Sequence, residues 1–226
     1  VFIDFIHYLG HLWEVFIESK GIFLDATVLT LRLTVLSIFI AIFIGLFFAL
    51  LKTTGVKVLV WIANTYIFLV RGTPLIVQIF IFYYGLSYGP LQISGFWSAA
   101  LGLAFHNGAY IAEIFRGAIQ SIGKGQTEAG RSIGMTSWKT MKRIILPQAL
   151  RRALPPLGNQ FIIGLKDSSL AAFVGLAEIF NVSTTMGSAD FDFMTYLLIS
   201  AVYYLILVFL LTLLVSFTEK KLAVSD

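Results

Sequence analysis

"LTVLSIFIAIFIGLFFALL", residues 33–51, carries no charged side chain between Arg32 and Lys52. As a helix, these 19 residues rise about 28 Å, close to the roughly 30 Å hydrocarbon core of a bilayer. Residues 72–112 and 193–218 are equally free of charge. The whole chain is 58% hydrophobic and 12% charged, against about 45–50% and about 25% in soluble domains. These runs exclude a soluble globular domain and define an all-α, polytopic helical membrane protein.

The pI near 9.3 does not point to nucleic acid, because most basic residues flank apolar runs, where they set topology and meet lipid headgroups. Cysteine is absent, so no disulfide framework and no thiolate site exists. The chain opens on Val1, and no signal peptide is read there.

Residues 1–20 place Phe2, Phe5, Ile6, Leu9, Leu12, Trp13 and Phe16 on one face, with Asp4, His7, His11, Glu14 and Glu18 opposite. That pattern predicts an amphipathic helix lying at the membrane interface. His7 and His11 are spaced to chelate a metal, but without a third ligand nearby they read as part of a solvated stripe. The transmembrane domain, 21–220, then holds about five spans: 24–51, 58–88, 96–123, 152–175 and 193–218. The second is too long for one straight crossing. "RGTP" at 71–74 removes a backbone donor at Pro74 and predicts a kink or an unwound turn. "GLSYGP", 85–90, reads as a short outer loop.

Of the 16 Lys and Arg, two fall in 52–57, eight in 116–152 and two in the tail after 218. The opposite side carries only Lys20 and Arg32. The positive-inside rule therefore puts the N-terminus outside, and the loop 124–152 and the tail 221–226 in the cytoplasm.

That loop contains "EAGRSIGMTSWKTMKRIILPQ", residues 128–148. Thr127, Glu128 and Ala129 read as the start of a short helix with a carboxylate at its positive end. Gly134 permits a reversal, and Met135, Trp138, Met141 and Ile145 recur about one turn apart. Pro147 starts or bends the next helix. The plain alternative is a basic loop that only fixes topology, but it leaves the exposed Trp-Met-Ile edge without a purpose.

The spacing of Glu128, Ala129, Gly134, Ile144, Leu146 and Pro147 resembles the E-A-A-x3-G-x9-I-x-L-P signature of permease subunits of ABC importers. Gly130 stands where Ala is usual, a change that weakens a helix by about 1 kcal/mol. "RGTPLIVQ" (71–78), "AYIAEIFRGAIQSIGKGQTEAGRSIGM" (109–135) and "KDSSL" (166–170) are similar to the polar amino-acid uptake branch, of histidine, glutamine and arginine type, over roughly 24–220. The resemblance implies a type I importer in the bacterial cytoplasmic membrane. Its partners would be a cytoplasmic ATPase dimer, a second permease subunit, identical or not, and an extracytoplasmic solute-binding protein. The coupling helix would dock on the ATPase through Glu128, Ala129, Gly130, Gly134, Met135, Trp138, Ile144, Leu146 and Pro147.

Polar groups at lipid depth are costly and mark candidate solute contacts. Lys166 and Asp167, read as lying inside the fourth span, cannot share a face; one is expected to pair with another span while the other faces a cavity. Glu113 is either a solute contact or the i,i+3 partner of Arg116. Glu178 is either a second solute carboxylate or a solvated loop residue. Together the two acids would suit the cationic side chain of a basic amino acid. Thr73, Gln78 and Asn107 would bond the α-carboxylate or α-amino group, helped by backbone donors freed in the broken turn. His106 reads as a packed core histidine. The chain has no G-x4-G-K-[ST] motif, so it is not the ATPase, and energy for alternating access must come from a partner. No cofactor is expected. Other solutes of the same branch (glutamine, glutamate, cystine, an opine) are the nearest alternatives. An intramembrane redox subunit would need facing histidine pairs, and only His106 is embedded. A stand-alone channel leaves the coupling loop unexplained.

Overall fold

The computed structural model describes residues 2–87 and 92–223, and every regular element among them is helical. The first helix, α1 (Phe2–Thr53), runs 52 residues without a break. The expected boundary near residue 20 is therefore not a break: the amphipathic segment continues directly into the first span. Its apolar side is partly covered by protein, since Leu12, Val15 and Phe16 pack into the cluster built on Phe23, Ile199 and Tyr203. Phe16 stacks on Tyr203 with ring centroids 5.7 Å apart. His11 Nε2 lies 2.8 Å from Asp192 Oδ2, so this histidine is tied to the far end of the chain. Hydrogen bonds from His11 and Thr195 hold the Asp192 carboxyl below the usual range.

The long second span is α2 (Lys57–Arg71) followed by α3 (Leu75–Ser87), which meet at 103°. The "RGTP" kink is thus a sharp corner. Residues 88–91 of the expected outer loop and 224–226 of the tail lie outside the described residues, while Gly85 sits within α3. The third span is α4 (Gly95–Gln120), which packs against α1, α2, α3 and the later helix α7. Small buried residues spread along it, Ser98, Ala99, Ala100, Ala104, Ala109 and Ala112, explain how so many neighbours fit around it. At Gly108 an added Cβ would stand 2.7 Å from Ile44 Cγ2, so the α1–α4 contact depends on its absence.

α5 (Lys124–Ser132) and α6 (Ser137–Thr140) precede a wide π turn, Met141–Ile145, that leads into α7 (Leu146–Asp167). Pro147 at the start of α7 has no N–H and crowds the carbonyl four residues back, and a widened turn relieves both problems. A 3-10 segment, Ser168–Val174, ends at Gly175 with φ +79°. α8 (Ile179–Ala189) and α9 (Phe193–Ala223) complete the bundle.

The fourth span differs from the sequence expectation. α7 starts six residues before Arg152 and stops at Asp167, so Lys166 and Asp167 mark the end of a helix instead of its middle. The Ser168-Ser169 pair explains the end: both hydroxyls turn back onto carbonyls three residues earlier, 2.7 Å to Leu165 O and 2.8 Å to Lys166 O. α1 and α9 are long and apolar enough to cross a membrane as single helices, and α2 with α3 qualifies as a bent pair. α4 and α7 are also long enough to cross, at about 39 and 33 Å, but both carry polar residues along their length, Asn107 and Glu113 on α4 and Gln160 and Lys166 on α7.

Candidate functional site

The corner at 71–74 and the polar face of α4 form one connected site. Pro74 cannot donate, and α2 ends at Arg71, so carbonyls at the corner need other partners. Gln78, one turn into α3, supplies them: its Nε2 donates to Val70 O at 2.8 Å, Thr73 O at 3.2 Å and Thr73 Oγ1 at 2.8 Å. Gln78 Oε1 lies 3.2 Å from His106 Nδ1, and His106 in turn leans on Tyr110 with ring centroids 5.1 Å apart. The Arg71 guanidinium sits over the Tyr110 ring, 5.1 Å from its centroid. One turn further along α4, Glu113 accepts from Lys52 Nζ at 2.7 Å and from Arg116 Nε at 2.8 Å. A cavity of about 530 Å³ opens among Lys52, Asn64, Phe68, Arg71, Tyr110 and Glu113.

The sequence candidates separate into three groups. Thr73, Gln78 and Glu113 belong to this site; Glu113 makes the i,i+3 pair with Arg116 and also lines the cavity. His106 is not a mere core histidine; it is half-buried and links the corner to α4. Asn107 faces the other way. It is fully buried, donates to Leu103 O at 2.9 Å and accepts from Gln160 Nε2 at 2.7 Å. It fastens α4 to α7 and is enclosed by protein in this structure.

Glu178 requires a correction. It is fully buried at the N-cap of α8, where its carboxylate accepts from Asn181 N at 2.7 Å and Phe180 N at 3.0 Å. Tyr204 O–H donates to it as well, at 2.7 Å. A carboxylate enclosed and bonded in this way is a helix cap, not a solute contact. Lys166 is exposed and Asp167 half-buried. Neither side chain makes a hydrogen bond or an ion pair among the described residues, so the interhelical partner expected for one of them is not found there. Sequence reasoning passed over Lys52, Arg71, Tyr110 and Asn64. The i,i+4,i+7 spacing of His106, Tyr110 and Glu113 opposite a broken helix was the available signal.

At the other end of α4, Arg152 Nη1 donates to Ser121 O at 2.6 Å, closing that helix's C-terminus. Beyond it, α5 packs against α6 and the π turn, and Gln148 of α7 reaches it, its Nε2 donating to Gln126 Oε1 at 3.4 Å. The short helix begins at Lys124, one turn earlier than expected, which leaves Glu128 exposed in its middle. Gly134 ends it with φ +80°. Met135 N donates to Gly130 O at 3.0 Å and Gly134 N to Arg131 O at 2.9 Å, the paired bonds of a Schellman motif. Gly130 is buried because Thr140 fills its missing methyl: an added Cβ would meet Thr140 Cγ2 at 2.8 Å. The elbow presents Ile133 and Trp138, 76% and 64% exposed, with Ala129 also exposed, Met135 and Ile144 half-buried, and Leu146 and Pro147 at the base.

A helical bundle with spans apolar enough for a membrane, a broken span beside an open, partly polar cavity and an apolar elbow standing clear of its end fits a membrane transport subunit. The chain belongs to the family of inner membrane components of binding-protein-dependent transport systems, whose model matches residues 20–224. It is therefore a multi-pass inner-membrane permease and a translocation component, not an ATPase. It is 38% identical over 207 residues to the probable amino-acid ABC transporter permease YckA of Bacillus subtilis, covering 92% of each chain. With the glutamine transport permease GlnP of Escherichia coli K12 it shares 35% over 214 residues, 94% of this chain and 98% of the other. The crystal structure of an amino acid ABC transporter with histidines superposes with a TM-score of 0.83 at 35% identity, covering 91% of this chain and 96% of that one. The inward-facing MetNI methionine transporter shares the fold, with a TM-score of 0.77 at 20% identity.

Proposed function

We propose that this permease imports polar amino acids, driven by a cytoplasmic ATPase dimer and supplied by an extracytoplasmic solute-binding protein. A second permease subunit completes the complex, and access alternates between the two sides. The observation that carries this reading is the cornered span, which turns Thr73 and Gln78 toward the polar face of α4 beside an open cavity. Relatives that transport glutamine, arginine and cystine support an amino acid as the solute. The loop charge balance supports an outside N-terminus and a cytoplasmic elbow. The elbow's apolar edge, Ile133 and Trp138, then faces the ATPase.

The expectation of a basic amino acid rested on two acids read as possible solute contacts, Glu113 and Glu178. Glu178 is a helix cap, and Glu113, held by Lys52 and Arg116, is left to the head group of the solute, so the side-chain preference rests on Asp167, the half-buried carboxylate with no partner among the described residues. The test is competition by the twenty amino acids in vesicles holding the complete complex. Arginine, lysine and histidine should compete best, and Asp167→Asn should remove that advantage. If neutral amino acids compete equally and Asp167→Asn changes nothing, the preference for basic solutes falls. If no amino acid is imported on ATP addition, the transport reading falls with it.

A further inference from the structure

The cavity between α2 and α4 holds a guanidinium with no carboxylate of its own. Lys52 and Arg116 both close on Glu113, whereas Arg71 makes no ion pair among the described residues and is held only by the face of Tyr110. An arginine parked on an aromatic ring keeps its N–H fork free, and that fork matches a carboxylate with two parallel bonds. Glu113 lines the same cavity one helical turn from Tyr110. Its Oε1 already holds an ammonium, the Lys52 Nζ at 2.7 Å. An amino acid carries both complementary groups on a single carbon.

We propose that Arg71 and Glu113 form a subsite for the zwitterionic head of the solute. Arg71 takes the α-carboxylate, and the α-ammonium takes the place of Lys52 Nζ on Glu113. The lysine is thus an internal stand-in that keeps Glu113 neutralised while the site is empty. Phe68 and Ile67 supply an apolar wall that reads little of the side chain. The subsite therefore recognises α-amino acids as a class and leaves the choice among them to other residues. This deepens the amino-acid reading above and rests on it.

The experiment measures binding to the complete complex in lipid nanodiscs by calorimetry. The probes are L-arginine and L-glutamine, their methyl esters, which lack the carboxylate, and their N-acetyl forms, which lack the ammonium. Wild type should bind each free amino acid about 10- to 100-fold more tightly than its ester, the range of one charge-assisted pair. Arg71→Gln should weaken the free acids to the level of the esters while leaving ester binding unchanged. Arg71→Lys, which keeps the charge and loses the fork, should fall between. Glu113→Gln should erase the difference between free and N-acetyl forms. Equal binding of acid and ester by wild type, or Arg71→Gln binding as wild type does, overturns the subsite. The two readings fail differently. If no amino acid binds or is imported by the wild-type complex, the proposed function is at fault; if they are imported and Arg71→Gln is indifferent, only the subsite is.

Discussion

Gly130 and Thr140 form a pair whose energies can be separated. Alanine at 130 would place a Cβ 2.8 Å from Thr140 Cγ2, 2.9 Å from Thr140 Oγ1 and 3.2 Å from Ile144 Cδ1. Overpacking of this kind costs about 1–3 kcal/mol. The same substitution favours the helix by about 1 kcal/mol, so Gly130→Ala should destabilise the elbow by about 0–2 kcal/mol. Thr140→Ala loses one buried methyl, about 1 kcal/mol. It also removes a buried hydroxyl that has no hydrogen-bond partner, a group whose burial costs about 1–3 kcal/mol. Its net effect therefore runs from neutral to about 2 kcal/mol stabilising. Together the substitutions remove both close contacts and keep the helix gain, so the double variant should be at least as stable as wild type. The coupling energy should favour the pair by about 1–3 kcal/mol, well beyond the roughly 0.3–0.5 kcal/mol scatter of independent sites. Trp138 fluorescence during denaturant unfolding reports on the elbow once the other three tryptophans, Trp13, Trp61 and Trp97, are replaced by Phe. Additive effects of the two substitutions would refute the account in which Thr140 fills the space of the missing methyl.

At Gly134 an added side chain meets open space, so only the backbone resists it. Gly134→Val should cost about 1–3 kcal/mol and weaken ATPase co-purification, whereas Gly134→Asn, which tolerates a positive φ, should keep it. Equal loss in both would sink the role of the turn. Glu178→Ala should lower stability by about 1–2 kcal/mol through the lost cap and leave transport per folded complex intact; calorimetry together with uptake normalised to folded protein checks both halves. Asn107→Ala and Gln160→Ala should each destabilise by about 1–3 kcal/mol, since each strands a buried polar partner. The double variant should cost less than the sum of the two, as measured by a double-mutant cycle.

The large features were legible because they are local. A charge-free run has one structural answer in lipid, and Pro74 removes a hydrogen bond wherever it is put. Gly134 was legible for the same reason: its backbone conformation is set within five residues. What depends on neighbours was not. The fate of Glu178 hinges on Tyr204, 26 residues away, and that of Glu113 on Lys52, 61 residues away. Hydropathy placed Lys166 and Asp167 mid-span, since apolar residues continue past them; Ser168 and Ser169, which end the helix, look ordinary in sequence. Gly130 read as a weakened alanine position because nothing in one dimension shows Thr140 against it.

The Gln78 amide fixes what kind of part the corner is. A break between helices is usually pictured as a hinge. Here one amide group from α3 clasps Val70 O and Thr73 O across the break, so α2 and α3 behave as a rigid bracket. Flexing it would break the bonds to both carbonyls at once. Under the alternating access proposed above, the bracket would swing as a piece, carrying Arg71 at its apex like the pointer on a lever.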